Sequence, residues 1–306
     1  MTMTDVIIIG SGPAGLTAAI YARRAGFSTL VIEKAPMSGG QIMNTFEVDN
    51  YPGLQGIGGF EMGMKFREHA ETMEAVFVEG LVEEIRVAGD VREVITQNET
   101  FCAKAVIIAA GASVATLGVP GEDTLRGRGI SYCATCDGAF FRNKVTAVIG
   151  GGDVAVEDAI YLSRFCSKVY VIHRRDKLRA ADMLQQKLFS LENVEMVWDS
   201  QVERISGSQQ VESIHVVNRK SGAETDLEVA GVFIAVGIRP LSGAFTALVH
   251  TDEDGYIVAD EDCRTNVPGI FVAGDIRTKK LRQVVTAVAD GANAVAGVEE
   301  YFLQLV

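Results

Sequence analysis

Two cysteines two residues apart, in the run Cys133-Ala134-Thr135-Cys136-Asp137, are the residues of this chain best suited to chemistry. Such a pair can close into an easily reduced disulfide, supply half of a zinc site, or meet by coincidence in a core. A structural zinc takes about four ligands. The other cysteines, Cys102, Cys166 and Cys263, stand alone, and His69, His173, His215 and His250 are scattered. The ligand count therefore sets zinc aside, and no metal is expected. If the pair opens a helix, the helix dipole draws a thiol pKa towards neutrality. Asp137 could then pass a proton to or from a thiolate. A helix-terminal acid with no chemical role is the plainer reading of the same residue. The three isolated cysteines are expected to pack or to lie at the surface, and Trp198 and the phenylalanines to pack.

Two glycine-rich turns flank the dithiol. The first is Gly10-Ser11-Gly12-Pro13-Ala14-Gly15, a complete GxGxxG. Its glycines permit a tight turn, a close approach of pyrophosphate and a close helix–strand contact. A helix beginning at Pro13 would present its N-terminus to phosphate. Glu33, with Lys34 beside it, stands 23 residues after Gly10. An acid there accepts from ribose hydroxyls and repels a 2′-phosphate, so this site is expected to take FAD or NAD and not NADP. The second turn is Gly150-Gly151-Gly152-Asp153-Val154-Ala155, a GxGxxA variant. Its position 23 residues on is His173, followed by Arg174, Arg175 and, a little later, Arg179. Guanidinium groups suit phosphate by charge and by their forked donors. This second site is expected to prefer NADPH, with His173 serving the nucleotide rather than acid–base chemistry.

The elements that must position these groups follow a parallel-sheet pattern. Strands are expected at 5–9, 28–32, 105–109, 144–149, 168–172 and 270–273. Helices are expected at 13–25 and 153–165, and the helix-period run covers 282–301. Connectors are expected at 117–122 and 236–240, where glycine and proline cluster. The fold class is thus α/β, with two Rossmann-like FAD/NAD(P)-binding domains. One domain spans 1–114 and 240–306 and is discontinuous. The other, 115–239, is inserted into it and carries the CxxC.

Length and composition agree with this plan. The chain has 306 residues, enough for two domains, and is 48% apolar with a formal net charge of −12. That acidity disfavours nucleic acid or an anionic membrane as partner. No apolar run reaches the roughly 20 residues of a membrane span. The first residues lack a basic n-region, so no signal peptide is expected and the protein is placed in the cytoplasm.

Taken together, these motifs resemble the bacterial-type low-molecular-weight thioredoxin reductases over essentially the whole chain. The resemblance is carried by Gly10 to Gly15, Gly39-Gly40-Gln41, Asn50-Tyr51-Pro52-Gly53, Cys133 to Asp137, Gly150 to Ala155, His173 to Arg175 with Arg179-Ala180, Ala273-Gly274-Asp275, and Arg282-Gln283-Val284. It implies FAD on the discontinuous domain, with Glu33 at the adenosine ribose, Gln41 and Asn50 along the cofactor, and Asp275 at its ribityl or pyrophosphate region. Arg282, Gln283 and Val284 would lie near the isoalloxazine. NADPH would use Gly152, Asp153, Arg174, Arg175 and Arg179. Electrons would pass from NADPH through FAD to a Cys133–Cys136 disulfide and on to thioredoxin or a thioredoxin-like protein. Cys136 would face the flavin, Cys133 would attack the partner, and Asp137 would serve as general acid. The resemblance further implies a homodimer, and rotation of the inserted domain between half-reactions.

Three rival readings share parts of this pattern. A flavin-dependent dithiol oxidase need not keep Arg174, Arg175 and Arg179. A ferredoxin–NADP reductase of related build would lack Cys133 and Cys136. A redox-sensing flavoprotein would act by binding a partner and would not require so complete a relay.

Overall fold

The computed structural model describes residues 3–45, 47, 48 and 50–305. The chain divides into two compact units, one formed by Met1–Ser113 with Arg239–Val306 and one by Val114–Ile238.

In the first unit β1 (Thr4–Ile9) leads through the glycine turn into α1 (Pro13–Arg24) and β2 (Thr29–Glu33). Then come α2 (Gly59–Thr72), β3 (Val76–Glu79), β4 (Val82–Ala88), β5 (Val91–Thr96), β6 (Thr100–Ile108) and β7 (Ala112–Val114). Val6 to Ile9 of β1 are buried on both faces, as a strand covered on both sides must be. β1 pairs in parallel with β2 on one side, Val6 opposite Thr29, and with β6 on the other, Thr4 opposite Ala103. The glycine turn therefore leaves the sheet where the strand order reverses, the crevice in which open α/β sheets bind ligands.

The second unit repeats the plan. It comprises α3 (Glu122–Leu125), β8 (Ile130–Ser131), α4 (Ala134–Asp137), β9 (Val145–Gly150), α5 (Asp153–Ser163), β10 (Lys168–Ile172), α6 (Asp182–Phe189), β11 (Val194–Val197), β12 (Ser200–Ser206), β13 (Ser213–Asn218), β14 (Glu224–Glu228) and β15 (Gly231–Ala235). Five strands form a parallel sheet in the order β11-β10-β9-β15-β8, and β12 to β14 form an antiparallel one. β9 again sits at the reversal, so its turn at Gly150 opens onto the equivalent crevice. The chain then returns through β16 (Ile238–Pro240), which pairs with β7, to β17 (Ile270–Val272), which joins the first sheet against β6. It ends in α7 (Val284–Leu303), whose start carries a capping box between Gln283 and Thr286.

The expected connector at 117–122 is not a connector. The chain passes between units at Ser113/Val114 and Ile238/Arg239. Leu117 and Val119 pack on the second unit's core, and the buried Glu122 carboxylate accepts from Leu117 N, Gly118 N and the Tyr132 hydroxyl at 3.2, 2.7 and 2.7 Å. Glycine and proline there serve a pinned turn, because a buried acid outweighs the local turn signal. Among the described residues, no helix is long and apolar enough to cross a membrane.

Candidate active site

The cysteines close a disulfide, Cys133–Cys136, at the head of the four-residue α4. Cys133 takes the N-cap position in extended backbone, and its carbonyl accepts from Cys136 N and Asp137 N at 3.2 and 3.1 Å. Both cysteines are half-buried, so the pair is accessible without being loose. Asp137 is half-buried at the end of this turn, where burial pushes its carboxyl above the ordinary aspartate range. The Ser131 hydroxyl donates to its Oδ2 at 2.5 Å and tempers that rise. Ser131 also accepts from Cys133 N at 3.1 Å, so one hydroxyl ties the acid to the first cysteine.

The first glycine turn is shaped for a dinucleotide. A Cβ on Gly15 would lie 1.9 Å from the Gly10 carbonyl oxygen, so helix and turn touch there with no room for a side chain. Gly12 is the opposite case: nothing lies within 4 Å of the place its Cβ would take. Gly12 caps α1 with no side-chain hydrogen bond and Pro13 follows it, leaving backbone donors of the first turn for a phosphate. Ser11 donates through N and Oγ to Glu33 Oε2 at 2.7 and 2.8 Å, which fixes the strand-end acid beneath the turn. Lys34 next to it is exposed.

Three distant segments complete this cradle. Gly39 N donates to Ser11 O at 2.8 Å, and a Cβ on Gly40 would come within 3.2 Å of Gly12 Cα. Gln41 is tied to Ala112 O at 2.6 Å. The turn at Gly274 meets α1 so closely that a Cβ there would lie 2.9 Å from that of Ala14. Asn50 donates to Gln283 Oε1 at 2.9 Å, and Val284 packs with Ile42 and Tyr51. Asp275 Oδ1 and Arg282 Nε are buried without a hydrogen-bond partner, although the Arg282 guanidinium lies 4.0 Å over the Tyr256 ring. Orphaned polar atoms beside an open, uncapped helix start are what a polar cofactor would satisfy. The residues present fit FAD.

In the second unit Gly152 is likewise open, and α5 begins at Asp153. The loop after β10 is bound to this turn: Arg179 N donates to Gly151 O at 2.7 Å and Ala181 N to Asp153 Oδ1 at 2.8 Å. Arg174, Arg175 and Arg179 are exposed, and their guanidinium groups have no ion-pair partner among the described residues. This arrangement fits a phosphorylated dinucleotide. His173 is 5% exposed, its Nε2 lies 3.0 Å from Lys177 O, and its ring fills the space where a Gly151 side chain would go, so it packs against the glycine turn itself.

Sequence reasoning missed one buried network altogether. Asp290 of α7 accepts from Gly274 N at 2.9 Å, from Arg277 at 2.8 and 2.7 Å, and from Lys279 at 2.8 Å. Burial would push its carboxyl up, but these donors hold it below the ordinary aspartate range. The only local signal was an acid on the apolar side of the helix-period run. We expect Asp290→Asn to cost about 3–5 kcal/mol, because Arg277 and Lys279 would stay buried without a counter-charge. The turn carrying Asp275 would loosen with it. Thermal unfolding and the cofactor retained after gel filtration measure both effects.

Two nucleotide-binding sheets, with a disulfide beside an acid on one of them, define a dinucleotide-dependent disulfide oxidoreductase. The family model described as pyridine nucleotide-disulphide oxidoreductase matches residues 4–291. Thioredoxin reductase of Bacillus subtilis is 48% identical over 302 residues, covering 98% of this chain and 95% of that one. The same identity and 98% of this chain relate it to thioredoxin reductase of Listeria innocua, 94% of which is covered. The crystal structure of thioredoxin reductase from Streptococcus pyogenes superposes with a TM-score of 0.95 at 48% identity, covering 99% of each chain. The chain belongs to the low-molecular-weight thioredoxin reductase family, whose members are NADPH-dependent FAD enzymes.

Proposed function

We propose that this protein reduces the disulfide of thioredoxin or a thioredoxin-like protein, and that Cys133, Cys136 and Asp137 carry the reaction. The observation that supports this reading most strongly is the half-buried Cys133–Cys136 disulfide with Asp137 tied to it through Ser131. When bound, NADPH and FAD supply the two electrons that open this disulfide. The chain's own residues do the rest. Cys133 attacks one sulfur of the partner disulfide as a thiolate and forms a mixed disulfide. Cys136 then attacks Cys133, which restores the Cys133–Cys136 bond and releases the partner as a dithiol. Two electrons leave the enzyme pair, and two protons reach the partner's sulfurs. Asp137, kept protonated to higher pH by burial, is placed to deliver one of them.

Gly12, Glu33, Gln41, Asn50, Asp275 and Arg282 to Val284 are assigned to FAD, on the unit formed by the two ends of the chain. Gly152, Asp153, Arg174, Arg175 and Arg179 are assigned to NADPH, on the inserted unit. The inserted unit thus carries both the NADPH residues and the dithiol, and each must reach the same flavin. It therefore presents them in turn, by rotation about its two crossings at Ser113/Val114 and Ile238/Arg239. We assign the protein to the cytoplasm as a homodimer. Phe60 and Met64, one turn apart on α2 and 53% and 40% exposed, support self-association of the first unit.

The test is a single assay. The purified yellow protein should bleach with NADPH and should reduce the host's own thioredoxin catalytically. Failure of either step overturns the reading. In the same assay, Arg174→Ala with Arg175→Ala is expected to raise KM for NADPH about 10–100-fold and to change KM for NADH little. Equal losses with both nucleotides would remove these arginines from the 2′-phosphate.

A further inference from the structure

Lys220 lies outside every motif named above, in the hairpin turn between β13 and β14. The turn is fixed by hydrogen bonds of its own. Asn218 Oδ1 accepts from Lys220 N and Ser221 N at 3.0 and 2.9 Å, and Gly222 N donates to Asn218 O at 2.8 Å. Asn218 Nδ2 also donates to Trp198 O at 3.2 Å, and Arg219 N to Asp199 O at 2.6 Å, so the hairpin is tied to the segment between β11 and β12. That segment is tied in turn to the arginine loop. Asp199 N donates to Arg175 O at 3.2 Å, and Ser200 N to His173 O at 3.0 Å. The Lys220 ammonium closes the circuit: its Nζ lies 3.0 Å from Asp176 Oδ2 and 2.9 Å from Asp199 Oδ1.

We propose that Lys220 determines specificity for NADPH over NADH: by holding both carboxylates, it keeps Arg174 and Arg175 available for the 2′-phosphate. This rests on the assignment of those arginines to NADPH. The two acids are the arginines' neighbours along the backbone. Asp176 follows Arg175 in the chain, and Asp199 is bonded to the Arg175 carbonyl. A carboxylate in reach of a guanidinium pairs with it, and it also repels a phosphate. Here one ammonium takes up both acids, while Arg174 and Arg175 have no ion-pair partner among the described residues. Without Lys220, two uncompensated carboxylates would compete with the 2′-phosphate for the arginines. NADH carries no 2′-phosphate and is spared that competition. Lys220 is exposed, so its ion pairs add little to stability and act through charge.

The test is flavin bleaching by NADPH and by NADH in the FAD-loaded protein. Lys220→Met should lower the second-order rate with NADPH about 3–10-fold and leave the rate with NADH nearly unchanged. The loss should shrink in about 1 M salt, where charges are screened beyond about 3 Å. Lys220→Arg should keep the parent's ratio of the two rates. Asp176→Asn added to Lys220→Met should win back part of the loss, because one uncompensated carboxylate is gone. Equal losses with both nucleotides, or no loss, overturn the proposal, as does a loss that salt leaves unchanged. Arg174→Ala with Arg175→Ala is measured alongside. A selective loss of NADPH there, without one in Lys220→Met, removes this role of Lys220 and keeps the assigned site. No selective loss in the arginine variant removes the assigned site and this role with it. No thioredoxin enters the measurement, so failure to reduce thioredoxin would sink the proposed function and leave this result standing.

Discussion

Cys136→Ser is expected to yield a yellow protein that NADPH still bleaches but that reduces thioredoxin at least about a thousandfold more slowly. Cys133→Ser should do the same. The reason lies in the division of labour along the chain. The residues assigned to FAD, and the open Gly152 turn with Arg174, Arg175 and Arg179, are untouched by either change. On the proposed mechanism, electrons pass from them to a protein disulfide through the Cys133–Cys136 bond at the head of α4. A serine hydroxyl can neither close that bond nor serve as an exchanging sulfur. The two variants separate the halves of the relay in one stopped-flow measurement. Retained thioredoxin reduction in either variant would place the exit of electrons elsewhere and sink the proposed mechanism. Loss of bleaching by NADPH would mean that the dithiol shapes the nucleotide half as well.

The second large effect belongs to Asp137. Asp137→Asn should lower thioredoxin turnover by about 10²–10⁴-fold while flavin bleaching by NADPH is retained. Burial raises this carboxyl and the Ser131 hydroxyl restrains the rise, so it keeps its proton to a higher pH than an ordinary aspartate. The wild-type rate of the thiol half-reaction should therefore fall as pH rises through that raised value, whereas the asparagine variant should show no such step. Stability follows the same sign. The folded state holds this proton more tightly than the unfolded one, so Asp137's contribution is fully present below the ordinary value of 3.8 and is lost as pH rises through the raised one. Asp137→Asn should flatten that part of the stability profile in chemical denaturation. A full-rate Asp137→Asn enzyme would return the residue to its plainer reading, an acid at a helix terminus.

Much of this site was legible because its signals are local. Strand, glycine turn and helix lie within about 25 residues, and their periodicity does not depend on what packs against them. α1 and α5 begin where the expected helices begin, at Pro13 and Asp153, and β10 spans 168–172 as expected. The contrast between Glu33 and the arginines after residue 173 is likewise a matter of residue type at one offset. Side-chain direction is not local. The offset alone places His173 at the second turn, but only the fold shows that its ring packs into the space beside Gly151. The 117–122 segment looked like a hinge by composition, yet Glu122 pins it.

What the sequence determined by itself was the pair of dinucleotide turns, the opposite charges that distinguish them, and the dithiol with its neighbouring acid. Each is a short run whose chemistry follows from residue type and spacing. Only the tertiary structure decided which distant groups serve them. It brought Asn50 to Gln283 across 233 positions, Asp290 to Gly274, Ser131 to Asp137, and Ala134, between the two cysteines, into one core with Val156, Ala159 and Leu162 of α5. The physical reason is that burial selects partners by packing. Which helix face covers a turn, and therefore which carboxyl is desolvated beside a thiol, depends on how sheets and helices close around one core and not on any period within a single segment.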